Sequence, residues 1–290
     1  MPRGTQLTAM GDDRPGCTEK GEEQELNLDL IKNGLDSSLF GVNIVYRTSL
    51  GSTNDLARDL ALLEAPEGTV VVTEEQTAGK GRRGRSWLAP SKTNLLFSIL
   101  LRPKFTPNRV FSLTMALALA ALEAIEKETD LLCKIKWPND LYVENRKLGG
   151  ILTEFAGKDK NVDWVVLGLG VNVNWCPEEG KGVSGFAATC IRSETQKKVS
   201  RNELLVRILK QFESHHERLL SGGRNDLYRK WNEYSLVLGK EVVIDSEERR
   251  TRGKAIRIDE NGALILEDER GKLQVITHGD VSLRLSSSTS

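Results

Sequence analysis

Seven consecutive residues, Gly79-Lys80-Gly81-Arg82-Arg83-Gly84-Arg85, carry four cations, three glycines and no acid. Glycine lets backbone N–H groups close on a ligand, and arginine forks match phosphate oxygens in pairs. The segment therefore reads as an anion cradle, with Trp87 beside it as a flat face for a base or an apolar ligand. The spacing Gly79-x-Gly81-x-x-Gly84 formally matches a dinucleotide fingerprint, but that fingerprint opens a helix and has an acidic residue about 20 positions on. Here Ser86-Trp87-Leu88-Ala89-Pro90 and a strand-like run follow, and Lys104 stands where the acid belongs. No Gly-Lys-Ser/Thr ends the loop, so it is not a P-loop either. The bland alternative is a solvated basic loop or a localisation patch. Interleaved glycines, a preceding β-branched run and the adjacent tryptophan argue against it.

A second cluster is Lys134-Ile135-Lys136-Trp137-Pro138-Asn139-Asp140, followed by Arg146-Lys147-Leu148-Gly149-Gly150. Lys136 and Lys147 flank one expected hairpin and can converge to neutralise phosphate, with Asp140 holding Mg²⁺ or fixing a lysine. A solvated strand face and a Pro-Asn turn is the plainer reading. Gly168-Leu169-Gly170-Val171-Asn172-Val173-Asn174 places glycines inside a strand, for packing or for close approach of a ligand. His215, His216 and His278 show no metal-ligand spacing, so no metal site formed by the chain is expected. Cys17, Cys133, Cys176 and Cys190 form no C-x-x-C pair, so neither a zinc nor a redox motif is signalled. Reduced thiols in a cytoplasmic chain are the expectation.

These residues need elements to position them. A weak apolar pattern over 26–35 predicts one short helix, and alternation over 41–46 predicts a strand. Ser52 with Asp55 resembles a capping box opening a helix to Glu64. The run 69–73 predicts a buried strand and 95–101 another. Pro107 suits a helix start, and Phe111, Met115, Leu119, Leu122 and Ile125 carry that helix to Glu128. Residues 133–137 predict a strand with one apolar and one cationic face. Residues 141–143 and 150–155 form a hairpin about Glu144-Asn145-Arg146, and 165–173 a further strand. Ser200 with Glu203 caps an amphipathic helix through Leu220. Strands that follow one another without intervening helices predict an α+β fold, a mixed sheet with helices on one side. From Leu236 only short strands fit, at about 241–244, 254–258, 263–266 and 273–276, which predicts a small β-barrel. The expected division is a disordered tail at 1–25, a main domain at 26–235, the barrel at 236–285 and a second tail at 286–290.

With 41 Lys+Arg against 41 Asp+Glu among 290 residues, the formal net charge is zero. A dedicated DNA-binding chain usually carries a basic excess. A disordered chain lacks the 39% hydrophobic residues present here. No apolar run reaches the ~20 residues that span a membrane. The acidic, glycine-rich N-terminus is neither a signal nor a transit peptide.

Taken together the motifs resemble the biotin protein ligases. The resemblance runs through Gly51-Ser52-Thr53-Asn54-Asp55, Glu75-Gln76-Thr77-Ala78 with the basic loop to Trp87, Lys136-Trp137-Pro138-Asn139-Asp140-Leu141-Tyr142, Arg146-Lys147-Leu148-Gly149-Gly150 and Gly168-Leu169-Gly170-Val171-Asn172. It covers roughly 40–285 in family order. It implies a catalytic sheet related to class II aminoacyl-tRNA synthetases with helices flanking it, and an SH3-like C-terminal barrel. The implied activity joins biotin and ATP into biotinyl-5′-AMP, with Mg²⁺, then transfers biotin to a lysine of a carboxylase biotin carboxyl-carrier domain. By that resemblance Ser52, Thr53, Asn54 and Gln76 ring the ureido group. Gly79, Lys80, Gly81 and Arg82 cover biotin and phosphate. Arg82, Arg83 and Arg85 neutralise the ATP phosphates, with Trp87 against the nucleotide. Lys147 meets the charge that builds up in adenylation, beside Gly150. Lys136 and Asp140, with Asn139 beside them, support phosphate or Mg²⁺ and position the acceptor lysine. Asn172, after Gly168, contacts the adenylate. No covalent enzyme intermediate is implied.

Lys80 departs from the arginine common at its place in the family, keeping charge and losing the fork. About forty residues precede the matched region, too few for the winged helix-turn-helix of many bacterial members, so no DNA binding is expected. Homodimer formation stays open. Lipoate ligases share the adenylate logic but lack the arginine loop. A non-catalytic biotin sensor would not need to retain Lys147 and three loop arginines.

Overall fold

The computed structural model describes residues 24–35, 39–158, 160–177, 187–246 and 250–283. The expected tail at 286–290, and that at 1–25 up to residue 23, lie outside the described residues. Among the described residues, helices α1 (Leu28–Leu35), α2 (Thr53–Leu62), α3 (Val110–Thr129), α4 (Ile191–Thr195), α5 (Arg201–Leu220) and α6 (Arg224–Tyr234) accompany twelve strands. Strands β1 (Ile44–Arg47), β2 (Val70–Thr73), β3 (Leu95–Leu101), β4 (Cys133–Lys136), β5 (Asp140–Val143), β6 (Arg146–Lys158) and β7 (Asn161–Val171) build one sheet in the order β1-β2-β3-β7-β6-β5-β4. Only β1 and β2 run parallel; every other pairing is antiparallel.

Helices cover both faces of this sheet, not one. Ala57 and Ala61 of α2 pack with Val71, Leu100, Trp164 and Val166 on one side. On the other, α3 lies between the sheet and α5. The single-sided expectation failed because α2 hides only a narrow apolar stripe between polar residues. All seven β3 positions are buried, which explains its unbroken apolar run. The sandwiched α3 is apolar on every side for the same reason. The expected cationic face of β4 also fails, since Lys136 is only 6% exposed. Three elements went unforeseen. Helix α6 has few apolar residues, and its buried stripe is Leu227, Tyr228 and Trp231. Helix α4 and strand β12 are four or five residues long.

Strands β8 (Glu241–Asp245), β9 (Arg250–Ile258), β10 (Leu264–Glu267), β11 (Leu273–Ile276) and β12 (Asp280–Leu283) form a second, antiparallel sheet in the order β11-β10-β9-β8-β12, of SH3-like kind. It docks against the first domain. Trp137 Nε1 donates to Gly262 O at 2.9 Å, and Asn108 Nδ2 to Asn261 Oδ1 at 3.2 Å. This docking brings Asp280, at the start of β12, over the basic loop. Among the described residues no helix is long and apolar enough to cross a membrane.

Candidate active site

One cavity gathers most of the singled-out residues. Ser52, Thr53, Asn54 and Gln76 line one end; Lys80, Gly81, Arg82, Arg85 and Trp87 cover it; Lys136, Asn139, Asp140, Lys147 and Gly150 form a wall; and Gly168 and Asn172 reach it from β7. Gly79 and Arg83 are not part of the lining. Gly79 turns the chain into the loop, its carbonyl accepting from Trp87 N at 2.9 Å. Arg83 turns toward the barrel and bonds Asp245 O and Asp280 Oδ2, each at 3.2 Å.

The neutral end is a connected network. Ser52 is the N-cap of α2 but makes no side-chain cap bond, so its hydroxyl is not engaged there as a capping box requires. Thr53 N donates to Gln76 Oε1 at 2.8 Å. Buried Ser98, on β3, lies 2.7 Å from both Thr53 Oγ1 and Asn54 Oδ1. Asn54 Nδ2 donates to Glu154 Oε2 at 2.7 Å and to Leu152 O at 3.2 Å. The Asn54 amide is thus held by protein on both sides, and Thr53 Oγ1 also donates to Gln76 Oε1 at 3.1 Å, so the network fixes the cavity-lining groups of this end. Ser98 and Glu154 were invisible to motif reading. They lie on strands, far from the loop, and only the sheet register brings them under Asn54.

The cationic end has its own supports. Lys147 Nζ pairs with Asp140 at 2.8 Å across β5 and β6 and lies 5.7 Å from the Trp87 ring centre. Of the two roles expected for Asp140, fixing a lysine is the one the geometry displays. Lys136 Nζ lies 5.1 Å over the Tyr142 ring, and burial pushes its pKa down to about 8. Arg82 Nη1 donates to Asn139 Oδ1 at 3.1 Å, while Asn139 O accepts from Ile151 N at 2.9 Å. Burial also lowers the Arg82 pKa from its ordinary value, opposed by Asp280 and Asp140. Asn172 Nδ2 donates to Thr189 O at 3.0 Å and its Oδ1 accepts from Asn94 at 3.2 Å, so it braces the cavity wall. Trp87 Nε1 is buried, with no hydrogen-bond partner among the described residues.

The basic loop is not held by its own residues alone. Four like charges on a glycine-rich segment suggest a loop with little to order it without a ligand. The fold supplies the counter-charges instead. Lys80 Nζ pairs with Asp55 at 2.7 Å, Arg82 rests on Asn139, and Arg83 and Arg85 both pair with Asp280 from the barrel. Asp280 and Val281 themselves line the cavity. Neither was foreseen, because no sequence signal connects β12 with a loop almost two hundred residues earlier.

Comparison with known proteins identifies the family. The model of the Biotin/lipoate A/B protein ligase family matches residues 46–172, and that of the Biotin protein ligase C terminal domain matches 237–284. The Biotin–[acetyl-CoA-carboxylase] ligase of Mycobacterium tuberculosis is 32% identical over 90% of this chain and 94% of its own. The Bifunctional ligase/repressor BirA of Bacillus subtilis is 32% identical over 87% of this chain and 78% of its own. The Aquifex aeolicus biotin protein ligase solved with biotin and ATP superposes with a TM-score of 0.72 at 32% identity, over 84% of this chain and 100% of that one. With a basic glycine loop folded over a cavity that is polar at one end and cationic at the other, and with 32% identity to ligases that it covers over most of their length, the chain belongs to the biotin protein ligase family.

Proposed function

We propose that this chain is a biotin–[acetyl-CoA-carboxylase] ligase. A carboxylate oxygen of biotin attacks the α-phosphorus of ATP, the α–β phosphoanhydride bond breaks, and pyrophosphate leaves. The amine of a lysine on a carboxylase biotin-carrier domain then attacks the acyl carbon, and AMP leaves with the electron pair of the broken acyl–oxygen bond. The observation that carries this reading is the polarity of this cavity: Ser52, Thr53 and Gln76 at one end suit a ureido group, and Arg82, Arg85, Lys136 and Lys147 at the other suit phosphates.

Each group has a physical task in that reaction. Lys147, held by Asp140, faces the oxygens on which negative charge accumulates, so its charge counts most in the transition state. Arg82, pinned by Asn139, stretches over the cavity, and Arg85 adds a second fork. Lys80 and Gly81 close the cover, and Trp87 and Gly150 shape the nucleotide wall. Lys136 adds a cation whose pKa burial brings down to about 8. Catalysis is positioning plus charge stabilisation. Asp140 and Asp280 are both held by cations, and among the described residues no group of His, Cys, Asp or Glu is placed to hold a metal. Mg²⁺ on this reading comes with the ATP phosphates and screens their charge.

The described residues ahead of β1 comprise α1, whose Ile31 and Leu35 are buried in the core, and a 3₁₀ turn. We propose that this chain does not bind DNA; specific operator retention in a low-salt mobility shift would contradict this. The outer edge of β1 is the candidate seam for pairing of two copies, since an edge strand presents unpaired backbone groups. The deciding experiment is incubation with biotin, ATP, Mg²⁺ and an apo carrier domain. One biotinyl mass addition to the carrier is expected. Exchange of pyrophosphate driven by lipoate but not by biotin would overturn the assignment.

A further inference from the structure

Asn94 stands just before β3 and carries no motif, yet its side chain is fully buried against the stretch that follows β7. Its Oδ1 accepts from Val173 N at 3.0 Å and from Trp175 N at 3.3 Å, and its Nδ2 donates to Asn172 Oδ1 at 3.2 Å. The pairings of β7 end at Val171. These side-chain bonds, with Asn174 N donating to Thr93 O at 3.1 Å, take over from the strand ladder across 172–175. The polarity of the cluster admits one arrangement. Val173 N and Trp175 N only donate, so Asn94 faces them with its oxygen and faces Asn172 with its nitrogen. Thr189 O only accepts, so Asn172 gives it Nδ2 at 3.0 Å and turns Oδ1 to Asn94. Backbone groups thus orient both amides, and Asn94 decides what Asn172 presents to the cavity it lines.

A buried ion pair seats Asn94 in turn. Arg201, the first residue of α5, donates from Nη1 to Asn94 O at 3.2 Å and pairs with Glu74 Oε2 at 2.6 Å, both side chains being buried. Arg201 Nη2 donates to Gln24 O at 2.6 Å. Glu74 Oε1 accepts from Leu26 N at 2.6 Å and from the Tyr46 hydroxyl at 3.2 Å. The backbone ahead of α1 therefore completes the hydrogen bonding that a buried pair requires. Glu74 lies two residues before Gln76, and its carbonyl accepts from Lys92 N at 3.2 Å. The pair thereby ties the turn that carries Gln76 to the turn that carries Asn94.

We propose that Asn94, locked by the Arg201–Glu74 pair, is a positioning residue for adenylation that sets the orientation in which Asn172 meets the nucleotide. This rests on the ligase reading and adds to it a residue that touches no substrate. Removing the Asn94 amide lets Asn172 turn and leaves the N–H groups of Val173 and Trp175 unmet. The loss falls on ATP and not on biotin, whose groups lie at the other end of the cavity.

The test is a double-mutant cycle in the full chain, read as KM for ATP in biotin-dependent pyrophosphate exchange. Asn94→Ala and Asn172→Ala should each raise that KM about tenfold, the scale of one lost hydrogen bond. KM for biotin should stay within about twofold, and the double variant should be no worse than either single one. Asn94→Asp keeps the shape and the acceptor but lacks the donor to Asn172. Deuterium uptake in peptides spanning 172–175 of the ligand-free protein should rise in Asn94→Ala and stay low in Asn94→Asp, while KM for ATP rises in both. Glu74→Met with Arg201→Met leaves no charge unpaired, so it should fold and still raise KM for ATP. Additive effects of Asn94→Ala and Asn172→Ala, an equal rise in KM for biotin, an unchanged KM for ATP in Asn94→Asp, or an unchanged one in the folded double methionine variant would overturn the proposal. An unmodified chain with no biotin-dependent exchange would count against the ligase reading instead, and deuterium uptake would still decide whether Asn94 holds 172–175.

Discussion

Three glycines under the cavity are specified by the side chains they admit. A Cβ on Gly150 would sit 3.1 Å from Asp140 Oδ1 and 3.3 Å from Lys147 Nζ, inside the pair that holds the lysine. One on Gly170 would meet the Trp87 indole at 2.6 Å, and one on Gly168 would overlap Asn54 Oδ1. Gly168→Ala must therefore displace Asn54 from Ser98 and Glu154. We expect a loss of about 1–3 kcal/mol, as for overpacking of a close-fitted site, expressed mainly as a raised KM for biotin. Adding Asn54→Ala should recover part of it, and strictly additive effects would contradict the steric account. Lys136 supplies the pH dependence. Its folded-state pKa, about 8, is below the ordinary 10.5. Between those values the unfolded chain holds the extra proton, so stability rises with pH across the window. Below about 8 the buried charge costs up to roughly 3 kcal/mol. Activity should run the other way, falling as pH rises through about 8 while the cation is lost. Lys136→Met should unfold at a higher temperature at pH 7, with slower adenylation and no alkaline inflection near 8. A retained inflection would assign it to another group.

At the scale of elements, the basic loop is held between two domains. Its 3₁₀ turn at Arg82–Gly84 points Arg82 to Asn139 and Arg83 and Arg85 to Asp280 of β12. On the proposed function, phosphates in the cavity would compete with Asp280 for Arg85, which lines it, and we propose that the carboxylate holds the loop until an anion replaces it. Asp280→Asn keeps the shape and removes the charge. Limited trypsin digestion of the ligand-free variant should cut at Arg82–Arg85 several-fold faster, and biotin plus ATP should restore resistance. Unchanged cutting would show that the loop does not depend on β12. How much of this was legible follows from range. The loop, the Lys136 and Lys147 hairpin and the strands around them were readable because glycine, arginine and periodicity act within about ten residues. The α5 cap was readable too: Ser200 Oγ accepts from Glu203 N, as the pattern implied. The partners Ser98, Glu154 and Asp280 were not, because register and domain docking decide them. The second helical face was missed because α2 buries alanines, which leave a faint periodic signal.

For the whole molecule, the informative fact is that the hydrophobic core does not stop at the domain boundary. One cluster runs from Leu26 and Ile31 through α3 and the sheet to Val242, Ile244, Leu264 and Val281 of the barrel. Stability, cavity closure and loop position are therefore linked, since the barrel that carries Asp280 is seated on the same core as the catalytic strands. The seat is narrow. Gly262 turns at φ +84°, its carbonyl accepts from Trp137 Nε1, and a Cβ there would overlap the Phe111 ring, which in turn packs edge-on against Trp231 at 5.8 Å. Gly262→Ala must either lift the barrel or push Phe111 into Trp231, with a cost of about 2–4 kcal/mol for a strained positive φ combined with overpacking. The unmodified protein should melt in one calorimetric transition. Gly262→Ala should separate it into two, with the barrel melting first and trypsin reaching Arg82–Arg85 as in Asp280→Asn. Val275→Thr, on the exposed side of β11, should leave a single transition. Two transitions in the unmodified protein would mean that the shared cluster does not couple the domains, and the Asp280 contact would then have to position the loop without help from the core.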